Sequence, residues 1–205
     1  MAFSHSPKIV TDGLVLCLDA ADKNSYPGSG TTWYDLSPTN DNDGTLTLGP
    51  TFQSTGGGSI GFDGVNDYVI VGTSMGNLGT TSATFSTWVF RDNSDGYDYF
   101  FDARAGSGAG YTQGAGGSNG INKSSGTSYV DGVASSTLVA GEWHNLTITG
   151  MTIYPQTSFL IGAYNAALTL HAHVGNIATV HVWNRVLSVK ELQQNFNAQR
   201  SRFGV

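Results

Sequence analysis

Chemistry that needs paired carboxylates falls almost entirely to aspartates in this chain, because only two of its fifteen acidic residues are glutamates, Glu142 and Glu191. Cleavage of a glycosidic bond by the two-carboxylate route requires two acids flanking the bond from one site. Glu142 stands before Trp143 at a strand start, and Glu191 lies nearly fifty residues on, at a helix start. No strand carrying E-x-D-x-E can be drawn, and the aspartates sit mostly in turn-like contexts. No G-x-S-x-G run is followed by the helix of a nucleophile elbow, and no metalloprotease helix is read. The glycine run near 106–120 lacks the Lys-Ser/Thr ending and following helix of a phosphate loop. A protein that is not an enzyme is expected.

Binding chemistry has better candidates. Sugars are held by flat aromatic faces with amides and hydroxyls fixing orientation. Tyr97, Tyr99 and Tyr111 flank or lie in a glycine-rich stretch, with Gln113, Asn119 and Asn122 as polar partners. These six are the candidate carbohydrate-binding residues, although Phe100 and Phe101 let Tyr97 to Asp102 read as a plain strand, which is the leading reading of the two. Asp63, Asn66 and Asp67 in FDGVNDY offer oxygen ligands for calcium within one turn. Asx side chains in such a turn more often bond their own backbone, and Asp19 and Asp22 carry the same ambiguity. His171 and His173, two apart, would share one face of a strand as half of a transition-metal site or, more simply, as surface histidines. No cofactor is otherwise expected.

The elements that must position these residues are strands. Charged residues make up 12% of the chain, net charge is -6, and only nine are Lys or Arg, which leaves little counterion-release drive toward nucleic acid. Direct nucleic-acid binding and membrane insertion are therefore not expected. The single cysteine, Cys17, sits in the apolar run Leu14 to Leu18 and reads as a buried small hydrophobe. The start, MAFSHSPKIV, has no long apolar core or cleavage site of a signal peptide. Asp131-Gly132 between short apolar runs suits a tight hairpin turn, whose central positions need positive φ. Residues 103–126 hold eight glycines and read as a long excursion between two strands. Trp33, Trp88, Trp143 and Trp183 read as core anchors.

The end of the chain combines a strand, a cap and a helix. Ala178, Val180 and Val182 alternate with Thr179, His181 and Trp183. Ser188 and Glu191 make a capping box, Leu187 and Leu192 a hydrophobic staple, and Leu192 and Phe196 share one helical face that can dock on a sheet.

That ending, IATVHVWNRVLSVKELQQNFNAQRSRFG, resembles the close of laminin-G-like domains in the concanavalin A-like lectin and glucanase superfamily. GLVLCLDA, TTWYDLSPTNDNDGTL, SIGFDGVNDYVIV, FSTWVF and GEWHNLTIT are similar to the family's successive strand and turn blocks, in order. The resemblance implies an all-β, antiparallel jelly-roll sandwich with a short C-terminal helix. Residues 1–12 would form an arm pinned by a neighbouring subunit, 13–187 the sandwich, and 188–205 the helix and tail packed on it. The RSRFG ending further resembles domains of bacteriophage, notably cyanophage, virion proteins. It implies a structural component of the virion, as capsid decoration or tail or fibre protein, on the outer surface of the particle. Its partners would be other virion proteins and copies of itself, and it would act by protein contacts and glycan binding. A carbohydrate-binding lectin module for host attachment is the alternative function, and a glycoside hydrolase the least favoured. In relatives of this kind calcium can sit at the sandwich rim, which implies a place for it at Asp63, Asn66 and Asp67.

Overall fold

A computed structural model describes residues 8–39, 41–72, 81–94, 96–103, 110–153, 159–164 and 171–205. Its strands are, in chain order, β1 (Leu14–Asp19), β2 (Thr32–Trp33), β3 (Gly44–Thr47), β4 (Thr51–Gln53), β5 (Ser59–Asp63), β6 (Tyr68–Val71), β7 (Thr81–Arg91), β8 (Asp98–Asp102), β9 (Tyr111–Gly114), β10 (Ile121–Lys123), β11 (Thr127–Val130), β12 (Val133–Ala134), β13 (Trp143–Ile153), β14 (Phe159–Ile161) and β15 (Val174–Trp183). A single α-helix, α1 (Val189–Phe203), follows among the described residues. An eight-stranded sheet runs β12-β11-β13-β7-β15-β5-β4 with β1 also paired to β15, and a seven-stranded sheet runs β10-β9-β8-β14-β6-β3-β2. The chain is an all-β antiparallel sandwich sealed by a C-terminal helix.

Alternation along β7 explains how the layers stack. Phe85 and Val89 point into the main core, where Phe85 meets Phe101 of the other sheet with ring centroids 3.9 Å apart. Trp88 points the opposite way, and α1 covers it. Phe203 stacks on its indole at 3.9 Å and Phe196 at 5.8 Å, while Trp88 Nε1 donates to Gln199 Oε1. Burying rings of this size is worth about 2 kcal/mol each. The same outer face carries hydroxyls that pair across strands, Thr84 with Thr149 and Ser86 with Thr147, so these four are satisfied although buried. The capping box forms as the sequence predicts, and Gly204 ends the helix in the left-handed region at φ 75°. Arg202 reaches the carbonyls of Gly56 and Gly58 and the carboxylate of Asp19. The RSRFG ending therefore locks the helix onto the sheet.

Several expectations need correction. Ala178 does not face the core with Val180 and Val182. A bulge between Ile177 and Thr179 turns it to the outer face, against Trp88 and Phe203. The excursion over 103–126 contains β9 and β10, a hairpin added to the edge of β8. Trp33, Trp88 and Trp183 are fully buried, whereas Trp143 is half-buried at the margin of α1. The Asp131-Gly132 turn is as expected, with φ of 53° and 76°. Of the arm, Met1 to Pro7 lies outside the described residues. Lys8 to Asp12 is held by its own chain: Asn195 Oδ1 accepts from the Val10 amide, Trp183 Nε1 donates to the Val10 carbonyl, and Gln194 donates to that of Lys8.

His181 lies on the outer face of β15, buried beside Trp183. Burial pushes its imidazole down from 6.5 to about 4, with Asp19 opposing and Arg202 reinforcing the shift. Because the folded-state value lies below the unfolded one, stability is complete above pH 6.5 and is lost as pH falls toward 4. The thermal midpoint should drop by several degrees across that window, and His181→Gln should flatten the slope. An unchanged slope in the variant would contradict the assignment.

Candidate functional site

At one end of the sandwich, the alternation that sends Phe85 and Val89 inward places Arg91 on the same face. Its guanidinium is fully buried. An unpaired charge there would cost several kcal/mol, and the fold answers with four acceptors. Nε bonds Asp98 Oδ1 at 2.8 Å, Nη1 donates to the Ser118 carbonyl, and Nη2 donates to those of Gly96 and Ala115. The second oxygen of Asp98 bonds His173 Nδ1 at 2.9 Å, and the imidazole is sandwiched edge-on between Phe62 and Phe100. Gly114 on β9 faces this pair so closely that any Cβ would overlap both Asp98 and Arg91. One buried cation thus ties together β7, β8, the turn before β8 and the β9–β10 turn.

Above it stands a rim of aromatic rings. Tyr97 is nearly half-exposed and meets His171 edge to face at 5.3 Å. Tyr99, buried, stacks on Tyr164 at 5.1 Å and lies 5.7 Å from Tyr111. His171 adopts φ 58°, a left-handed conformation that costs a non-glycine residue about 1 kcal/mol or more. In that conformation its carbonyl accepts the Tyr99 amide at 3.0 Å. A groove of about 390 Å³ opens beside Tyr97 and His171, lined also by Asp63, Asn93 and Asp98. A second, of about 420 Å³, lies on the other side of Asp63 and is lined by Gln53, Asp67, Asp92 and Asn176.

Of the six sugar-site candidates, Tyr99, Gln113 and Asn122 are direct cross-strand neighbours on β8, β9 and β10, hence on one face of the sheet. Tyr111 joins them through its ring contact with Tyr99, and Tyr97 stands at the rim. The Oε1 of Gln113 is buried and accepts no hydrogen bond among the described residues. Asn119 lies apart, its Oδ1 accepting from the Ala140 amide. Tyr164, Arg91 and Asp98 were not singled out from the sequence, and His171 was singled out there only as a metal candidate. Arg91 could have been found there, since FSTWVFR puts a charge in register with two core residues.

The calcium candidates are engaged in a turn. Asp63 Oδ1 accepts from the amides of Val65 and Asn66, and Asp67 Oδ2 from that of Asp63. Burial raises the Asp67 carboxyl above its usual range, partly offset by that amide. Among the described residues no three His, Cys, Asp or Glu side chains are grouped to hold a metal ion. His171 and His173 do not share a strand face, since both precede β15 and His173 is buried on Asp98. Asp19 bonds Arg202 and the Ala21 amide, and Asp22 caps Asn24. Glu191 is held by Arg185 and Ser188, which depress its carboxyl to about 2, and Glu142 is exposed near His144. Burial, with Asp35 adding, pushes the Cys17 thiol up to about 12, far from a thiolate at neutral pH.

No family model and no curated protein matches this chain. Solved structures do. The binding domain of botulinum neurotoxin serotype D superposes with a TM-score of 0.62 at 11% identity, over 93% of this chain and 53% of that one. The binding domain of botulinum neurotoxin DC, solved in complex with SialylT, gives 0.58 at 13% identity over 92% and 52%. Trypanosoma rangeli sialidase in complex with sialic acid gives 0.56 at 14% identity over 97% and 36%. This chain spans about half the length of the toxin domains and about a third of the sialidase. At these identities the likeness is one of fold.

Proposed function

We propose that this chain is a non-enzymatic glycan-binding module that takes a sugar against Tyr97 and His171 at the mouth of the adjoining groove. The observation that carries the reading is a half-exposed tyrosine fixed edge-on to a strained histidine, above a buried ion network that holds the surrounding turns. Site residues on loops that a rigid scaffold positions are the usual arrangement for recognition. An aromatic wall with an amide and carboxylates beside it is the chemistry that holds pyranose rings. The likeness to a toxin domain solved with SialylT supports the use of such a sandwich for glycans.

Holding rather than cutting fits the state of the carboxylates. Asp98 is committed to Arg91 and His173, and Glu191 to a helix cap, so neither is free as a nucleophile or acid. The setting, on the outside of a phage particle among virion proteins and copies of itself, is carried by the resemblance of the strand blocks and the RSRFG ending. Mass spectrometry of purified particles should find the chain, and its absence from them would remove that setting.

A glycan array with the whole protein should give a signal, and Tyr97→Ala should weaken it about tenfold or more without lowering the thermal midpoint. Silence across the array, or an unaltered signal in the variant, would overturn the site.

A further inference from the structure

The two grooves share Asp63, and each has the volume of a small-molecule site, which runs about 300–1,000 Å³. Their charge is one-sided. Asp63, Asp67 and Asp92 line the first groove, Asp63 and Asp98 the second, and no Lys or Arg lines either among the described residues. Asp98 is balanced by Arg91. Asp63 and Asp92 are exposed and have no cationic partner among the described residues. Recognition of a carboxylate or sulfate uses Arg or Lys donors, which these walls do not present. Gln53 and Asn176 add amides in the first groove, and the aromatic pair Tyr97 and His171 adds a face in the second.

We propose that the paired grooves form one acidic cleft that rejects sialylated and sulfated glycans, accepts neutral ones, and binds amino sugars with a free amine most tightly. The inference rests on the glycan-binding reading above and adds the class of sugar. Asp63 and Asp92 are its specificity-determining residues. Their charges act on the ligand through a few ångströms of water-accessible space, where each is worth several-fold in affinity. The rings of Tyr97 and His171 supply the contact common to all accepted sugars.

Calorimetry on the whole protein tests this with four probes: lactose, sialyllactose, N-acetylated chitotetraose and its de-N-acetylated counterpart. The wild type should bind the free-amine chitotetraose about tenfold more tightly than the acetylated one, and sialyllactose at least about fivefold more weakly than lactose. Asp63→Asn with Asp92→Asn should erase both preferences. The asparagine at 63 can still accept the Val65 amide, and the Asp92 side chain makes no hydrogen bond among the described residues, so the fold should survive. Glu142→Gln, an exposed carboxylate that lines neither groove, should leave both preferences in place. Sialyllactose bound as tightly as lactose, or a preference that the double variant keeps, overturns the inference while leaving glycan binding intact. Binding of none of the four probes overturns this inference and the proposed function together.

Discussion

A guanidinium with no exposed surface sits at the end of the sandwich core, and the geometry of that end follows from the need to satisfy it. Arg91 is there because strand alternation leaves it in register with Phe85 and Val89. Once there, it requires a carboxylate and several carbonyls, because removing one partner of a buried ion pair costs about 3–5 kcal/mol. Asp98 supplies the charge, and Gly96, Ala115 and Ser118 supply the carbonyls, so two other chain segments, 96–98 and 115–118, converge on one side chain. Gly114 is required by the same convergence, since only a residue without Cβ clears the pair. His173 then takes the remaining oxygen of Asp98, which places His171 two residues away at the rim.

The opposite surface of the larger sheet obeys a different constraint. Trp88, Ala178 and Trp183 point away from the core, and a sandwich alone would leave them in water. Helix α1 and residues 8–12 cover them, with the capping box starting the helix and Arg202 and Phe203 fastening its end. The chain ending that carries the family resemblance is thus accounted for by docking. It reports on architecture, and the end of the molecule that carries the two grooves is built from other residues.

Much of the fold was legible because periodicity and caps are local signals. The Ser188–Glu191 box, the Asp131-Gly132 turn and the apolar strands could be read residue by residue. What escaped the reading arises from contacts distant in sequence. The bulge at Ala178 is set by pairing with β7, which alternation within β15 cannot reveal. The glycine-rich stretch looked too poor in apolar residues for strands, yet β9 and β10 form because β8 offers an edge and Arg91 binds the turn between them. The site was half legible. Tyr97, Tyr99, Tyr111, Gln113 and Asn122 were identified by type and do converge on one region, while Tyr164 and His171 reach it only through tertiary placement.

The groove-bearing end is a preformed surface whose shape depends on one buried ion network. Hydrogen exchange on Arg91→Met measures that dependence directly, with the Tyr99 amide, bonded to His171, and the Gly117 amide, bonded to Ser94, as reporters. Both should lose protection about a hundredfold or more while amides in the middle of β13 change far less. Equal protection of those two amides in variant and wild type would contradict that dependence.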